Sequence, residues 1–246
     1  MIKALKDYID IIKRLDIKDK YTKDELLIDE FLVEKDKNIE IYYAPHNEYL
    51  NSDAKVFIVG ITPGFQQMST AMATARKGIE DNKSLEEIKY MCKVAGRFSG
   101  SLRKNIISML DYIKLNEALN IDSCSELFED KDNLLHTISL IPYSVFVKGE
   151  NYTGHTPKLN KSDFLMKYVE NNFVEELSNL SDVLIIPLGK AVEEVLGVLI
   201  KEEVICEEQV LKGFPHPSGA NVNRLIQLEE NKTSLIKKIK EFYHVS

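Results

Sequence analysis

Four features are scarce or missing from this chain, and each absence narrows its function. Cysteine is the first: the 246 residues hold three, Cys92, Cys124 and Cys206, with no C-x-x-C pair. Neither a zinc site nor an iron–sulfur cluster is indicated, and isolated reduced thiols in or near the core are expected. Long hydrophobic runs are the second. The best, Val183–Ile186 and Val195–Ile200, are cut by Pro187, Gly189 and charges, far short of the ~18 residues that span a membrane. The opening residues, Met1-Ile2-Lys3-Ala4-Leu5-Lys6-Asp7, lack the apolar core of a secretory signal, so a cytoplasmic protein is expected. Third, neither G-x-x-x-x-G-K-[ST] nor G-x-G-x-x-G occurs, which removes the common phosphate loops. Fourth, there is no basic excess: 32 Lys and Arg stand against 39 acidic residues, a net charge of −7. That counts against nucleic acid, whose binders show a basic footprint. A local stripe can still serve a small footprint. The residues available for one are Arg97, Arg103 and Lys104, then Lys148, Lys158 and Lys161, then Lys190, Lys212 and Arg224.

What is present reads as one soluble domain over 1–246 with an N-terminal helical segment, 1–36. Leu5, Ile9, Ile12 and Leu15 recur at helical spacing, and a second helix is expected from Thr22, with Leu26, Leu27, Phe31 and Leu32 as its apolar face. Ile39–Tyr43 alternates like a short strand. Four buried-strand signals follow: KVFIVG at 55–60, TISLI at 137–141, DVLII at 182–186 and the short QVL at 209–211. Helical patterns at 84–94, 101–119, 161–180, 190–199 and 221–243 separate or follow them. Such alternation predicts an α/β fold, a three-layer α/β/α arrangement around a central four-stranded parallel sheet. Chemistry in such sheets sits beyond the C-terminal strand ends. Here those ends carry the unusual residues, in Gly60–Met68, Pro142–Pro157, Pro187–Lys190 and Gly213–Asn223.

Two loops stand out. Gly60-Ile61-Thr62-Pro63-Gly64-Phe65 follows a buried strand, and its glycines let backbone approach a ligand. Phe65 is either an aromatic floor for that ligand or a core plug beneath the loop. In Gly213-Phe214-Pro215-His216-Pro217-Ser218-Gly219-Ala220-Asn221, flanking prolines leave His216 few backbone choices, so the chain itself aims the imidazole. Ser218 to Asn221 then open the last helix, whose N-terminus suits a phosphate. The polar segment Val147–Pro157 offers Tyr152 and His155, as a substrate loop or a solvated connection.

Together, G-x-x-P-G after the first strand and H-P-S-x-x-N before the last helix resemble the signature motifs of the uracil-DNA glycosylase superfamily. Tyr42-Tyr43-Ala44-Pro45, Gly64-Phe65 with Met68, and the H-P-S-x-x-N order look most like its single-strand-selective monofunctional branch. The likeness covers roughly residues 39–224. It implies hydrolysis of a base–sugar bond in single- or double-stranded DNA by a monomer that flips the base out, with no cofactor, no metal and no membrane. His216 would stabilise negative charge on the departing base. Ser218, Gly219, Ala220, Asn221, Arg224 and Lys190 would face DNA, with Val222 as the wedge filling the flipped base's place. Gly60, Ile61, Pro63, Gly64, Phe65, Ser139, Tyr143 and Tyr152 would surround the base.

Two positions depart from the family pattern. Where the family orients the attacking water with Asn or Asp, this chain has Thr62, a hydroxyl that positions water but is no base near neutral pH. Glu150 and Asp163 are alternative carboxylates. Three residues before Pro142, where uracil-excising members read the base with Asn, stands Ser139. A short hydroxyl leaves more room, so a modified pyrimidine is expected over uracil, in repair or in defence against viral DNA that carries altered bases. A non-catalytic binder of the same fold and a nucleoside hydrolase are the competing readings.

Overall fold

The computed structural model describes residues 4–180 and 182–245; Met1, Ile2 and Lys3 of the expected first helix lie outside them. In chain order the helices and strands are α1 (Leu5–Ile12), α2 (Lys23–Leu26), β1 (Leu32–Asp36), β2 (Ile39–Tyr42), β3 (Val56–Gly60), α3 (Phe65–Glu80), α4 (Leu85–Gly96), α5 (Gly100–Tyr112), α6 (Leu115–Leu119), β4 (Leu135–Ser139), β5 (Ser144–Val147), β6 (Glu150–Asn151), α7 (Asp163–Tyr168), α8 (Val174–Leu177), β7 (Leu184–Pro187), α9 (Lys190–Lys201) and α10 (Arg224–Tyr243).

The apolar runs VFIVG, LHTIS and LIIP form a parallel sheet in the order β4-β3-β7. Gly60 stands opposite Ser139 and Val59 opposite Pro187, which brings the three C-terminal ends level. Successive side chains point to opposite faces, and both faces are covered. Phe57 and Val59 join Met68 and Met72 of α3 and Val192 and Val195 of α9. Val56 and Ile58 join Ile106 and Leu110 of α5 and Leu228 and Leu235 of α10. This is the expected α/β layering, with one correction. Where a fourth parallel strand was expected, residue 210 makes a single bridge to Ile185, and the Leu211 N–H donates to the Ile185 carbonyl at 2.8 Å. A 3₁₀ turn at Glu207–Gln209 and the left-handed Gly213 (φ 89°) leave this run too short to be a strand.

A second sheet, order β1-β2-β5-β6, is antiparallel throughout. It corrects the reading of 1–36 as helical. Helix α2 closes after Leu26, since Leu27 leaves helical geometry (φ −88°, ψ 58°), and the chain re-enters as β1. β5, built from SVFV, and the two-residue β6 both fall inside Pro142–Pro157, so part of the segment expected to be loop is strand. The last helix also starts later than Asn221, at Arg224, so Ser218 to Asn221 form turns and not a first helical turn.

Candidate active site

The level ends of β3, β4 and β7 open into one cleft of about 790 Å³. Pairing continues past the strand ends: Leu140 N–H donates to the Gly60 carbonyl (2.9 Å) and Ile141 N–H to that of Ile61 (3.0 Å), while Leu188 N–H reaches Val59 (2.9 Å). The floor is therefore backbone fixed by the sheet itself. Gly60, Ile61, Thr62, Ser139, Tyr152, Lys190, His216, Ser218, Ala220 and Asn221 all line the cleft, drawn together from five separate segments. Gly60 and Ser139 lie side by side, and a Cβ on Gly60 would stand 3.6 Å from the Ser139 Oγ. That hydroxyl makes no hydrogen bond among the described residues and is open for a ligand.

His216 is held from several sides. Asn105 of α5 donates to the Pro217 carbonyl (2.8 Å), and the Asn221 amide donates to the carbonyl of His216 (3.1 Å). The Ser218 N–H donates to His216 Nδ1 (3.2 Å). With Nδ1 accepting, the neutral ring carries its proton on Nε2. The ring keeps an exposed edge, yet desolvation of the rest, and then repulsion from His155, lowers its pKa below the ordinary histidine value. At neutral pH it is therefore an uncharged donor. Ser218 spends its hydroxyl on the Ala220 N–H (3.2 Å), and Gly219 and Val222 lie on the rim outside the lining. Val222 is 80% exposed, and with Leu225 and Ile226 it makes an apolar lip at the start of α10.

Pro63, Gly64, Phe65 and Tyr143, expected around the base, do not line the cleft, and neither does Arg224, expected to face DNA. Phe65 is a core plug: it is buried edge-on to Phe146, 6.4 Å between ring centres, with its N–H bound to the Asn151 side chain (3.0 Å). Tyr143 is buried beside Tyr168 and Tyr43. The aromatic walls are instead Phe98, Phe214 and Tyr152. Phe98, between α4 and α5, was not read as a base contact. Its only sequence signal is its place in the turn Phe98-Ser99-Gly100-Ser101.

Thr62 is pinned. Its hydroxyl donates to the Tyr143 carbonyl (2.6 Å) and accepts from the Val145 N–H (3.1 Å), tying the first loop to β5. One lone pair remains. Glu150, exposed and paired with Lys23 at 3.8 Å, and Asp163 at the start of α7 both lie outside the cleft. The basic stripe also shrinks. Arg97 is buried, with its guanidinium on Asp132 and the Phe128 carbonyl (3.2 Å each), and Arg103 is bound to the carbonyls of Phe98 (2.7 Å) and Arg97 (2.9 Å). Lys212 pairs with Glu207 (2.5 Å) and Lys158 with Glu194 (4.0 Å). Lys190, at the first turn of α9, has no ion pair among the described residues.

A further lining residue also went unread in the sequence. His46 is 3% exposed, and its Nδ1 is buried with no hydrogen-bond partner among the described residues. Burial, then the charge of Lys93, depresses its pKa to about 3.

No protein-family model matches the chain. It is 44% identical over 222 residues to the uncharacterized protein YoxB of Bacillus subtilis (strain 168), covering 90% of this chain and 87% of that protein. The chain belongs to the YoxB family. The crystal structure of wild-type SMUG2 from Pedobacter heparinus overlays with a TM-score of 0.45 at 14% identity, across 95% of this chain and 97% of that one. That overlay is too loose to assign the fold. In this YoxB-family cleft, no group of three or more His, Cys, Asp or Glu among the described residues is arranged to hold a metal ion. No helix among them is long and apolar enough to cross a membrane.

Gly189 shows how closely the YoxB-family chain packs behind its histidine. Its φ of 87° and ψ of 173° belong to a region used almost solely by glycine, and a Cβ there would stand 2.7 Å from the His216 Cβ. Gly189→Ala is expected to lower stability by about 1–3 kcal/mol and to displace His216. Denaturant midpoints and ligand-binding assays check the two effects.

Proposed function

We propose that this protein is a monofunctional DNA glycosylase of the uracil-DNA glycosylase superfamily, hydrolysing the bond between a base and its deoxyribose. The observation that carries this reading is His216, a neutral imidazole with Nδ1 capped by the Ser218 N–H and Nε2–H left to donate. A fixed donor contributes most where charge develops in the transition state, here on the base as the glycosidic bond breaks. The two halves of the motif pattern, at Gly60–Gly64 and at His216–Asn221, line the same cleft except for Pro63, Gly64, Pro217 and Gly219. DNA would cross the rim with phosphates near Lys190, Ser218, Gly219 and Asn221. Val222 would enter the stack that the flipped base leaves, and the protein would act as a monomer.

The preferred base in this reading is a modified pyrimidine. The unbonded hydroxyl of Ser139 beside side-chain-free Gly60, in a cleft of about 790 Å³, offers more room than an amide would leave. Base release tests it: single- and double-stranded oligonucleotides carrying uracil, oxidised, hydroxymethylated or glucosylated pyrimidines are incubated and scored for alkali-labile abasic sites. Release that is faster from a modified base than from uracil is expected. Equal rates would remove the preference, and no release from any substrate would remove the enzyme. One observation favours a second reading, a DNA- or protein-binding member of the same fold: the Thr62 proton is committed to Tyr143. Binding of oligonucleotide without base release would establish it.

A further inference from the structure

A glycosidic bond broken by water needs a group that holds and deprotonates that water, and Thr62 gives its only proton to a backbone carbonyl (2.6 Å). The titratable side chains lining the cleft are His46, Arg97, Tyr152, His155, Lys190, Glu193 and His216, and the Tyr152 hydroxyl gives its proton to the Pro157 carbonyl (2.6 Å). Arg97 and Lys190 are cations without an acceptor. His46 is buried, 3% exposed. His216 has Nδ1 occupied and Nε2 donating. Glu193 lines the cleft as a carboxylate, but its Oε2 is bound by the Gly213 N–H at 2.6 Å. It also lies two residues after Ala191, about 200° round the helix from it.

That angle matters because Ala191 marks the side of α9 that faces the first loop. A Cβ on Gly154 (φ 86°) would meet Ile61 Cδ1 at 2.6 Å and Ala191 Cβ at 3.0 Å, so this glycine fills the gap between the first loop and α9. His155 follows directly, its backbone bridged to Lys158. It lines the same cleft as His216, and its charge is the second cause, after desolvation, that lowers the His216 pKa. Of the seven groups, His155 alone is an exposed imidazole with no hydrogen-bond partner among the described residues that directly follows the glycine packed against Ile61 and shares the cleft with His216.

We infer that His155 is the catalytic base that takes a proton from the attacking water, the role left open by Thr62. The inference rests on the glycosylase reading. The water oxygen bonds to the anomeric carbon while the carbon–nitrogen bond breaks. The bonding pair leaves on the base, where the His216 Nε2–H meets it, and one water proton passes to the His155 imidazole. The departing base is then protonated from solvent while His216 keeps its Nε2 proton, and no oxidant or reductant enters. The titratable and charged groups that share this part of the cleft with His155 are His216 and Lys190, with the Lys158–Glu194 pair (4.0 Å) outside the lining and Glu193 on the farther side of α9.

The test is single-turnover base release between about pH 5 and 8, the range in which histidines titrate. It uses wild type, His155→Ala, His155→Gln and Glu193→Gln on the best substrate of the oligonucleotide panel. His155→Ala is expected to lose about 10²–10⁴ in rate and the acid limb of the pH profile, with part of the rate restored by added imidazole. His155→Gln stays slow and flat, and Glu193→Gln keeps the limb. Wild-type rate and profile in both His155 variants would overturn the inference and leave the glycosylase reading intact. An enzyme that releases no base from any oligonucleotide would overturn both.

Discussion

His216→Ala should abolish most base release, slowing it by about 10²–10³, while leaving the fold and the grip on DNA nearly unchanged. His216 accepts two local bonds, at its ring from the Ser218 N–H and at its backbone carbonyl from the Asn221 amide. Only the first is lost with the side chain. The ring projects at the rim between two prolines, so no core contact disappears with it. If the proposed glycosylase reading holds, the loss should fall on the chemical step and not on substrate affinity, because there the Nε2–H would meet a charge that exists only as the base departs. Single-turnover rates beside equilibrium binding separate the two. An equal loss of binding and rate would assign His216 to DNA contact. His216→Gln, which restores a donor at a different reach, should recover part of the rate.

The second large effect is on stability in acid. His46 is buried with an unprotonated ring, its pKa held at about 3 against an ordinary value of 6.5. In the unfolded chain the ring takes a proton below about pH 6.5, whereas the folded protein refuses it until about pH 3. The stability tied to the neutral ring is therefore complete above about pH 6.5 and lost as pH falls toward 3. The rate of loss is about 1.4 kcal/mol per pH unit, or about 5 kcal/mol over the window. Burial also lowers the pKa of His136, which adds to the same slope despite its bond to Glu176 (2.5 Å). Removing His46 should therefore flatten the curve without levelling it. Urea unfolding of wild type and His46→Asn from pH 8 to about 4 measures this. The variant should start less stable at the top of the range and converge on wild type in acid. Parallel curves would show that the ring is not the group that titrates.

The parts of the site legible in the sequence share a physical property: each is decided by its neighbours in the chain. Apolar runs stopped by Gly60, Pro142 or Pro187 announce parallel strands and their functional ends, because glycine and proline break strands locally. The prolines around His216 restrict it wherever the loop lies. What failed was decided at a distance. Whether Phe65 floors a ligand or plugs the core depends on Phe146, and the duty of Thr62 depends on the backbone of Tyr143 and Val145. Arg97 looks like a surface cation until Asp132 and Phe128 are brought beside it. His46 has no motif at all. Its meaning lies in the bonds it does not make, and an unsatisfied group has no signature in a sequence. The expected fourth strand and the helical reading of 32–36 failed in a related way, since the pairing partner and not the pattern chooses between strand and turn in so short a run.

The cleft is also unevenly anchored. Its floor shares the in-register hydrogen bonds of β3, β4 and β7, whereas the rim that carries His216 hangs on a few side-chain bonds from Asn105, Ser218 and Asn221. Regions tied by few bonds open locally at small cost, while a sheet core opens only with the whole molecule. The rim can breathe on its own while the floor keeps its shape. A base could thus be admitted by one wall yielding, with the opposite wall serving as the fixed gauge against which its size is measured.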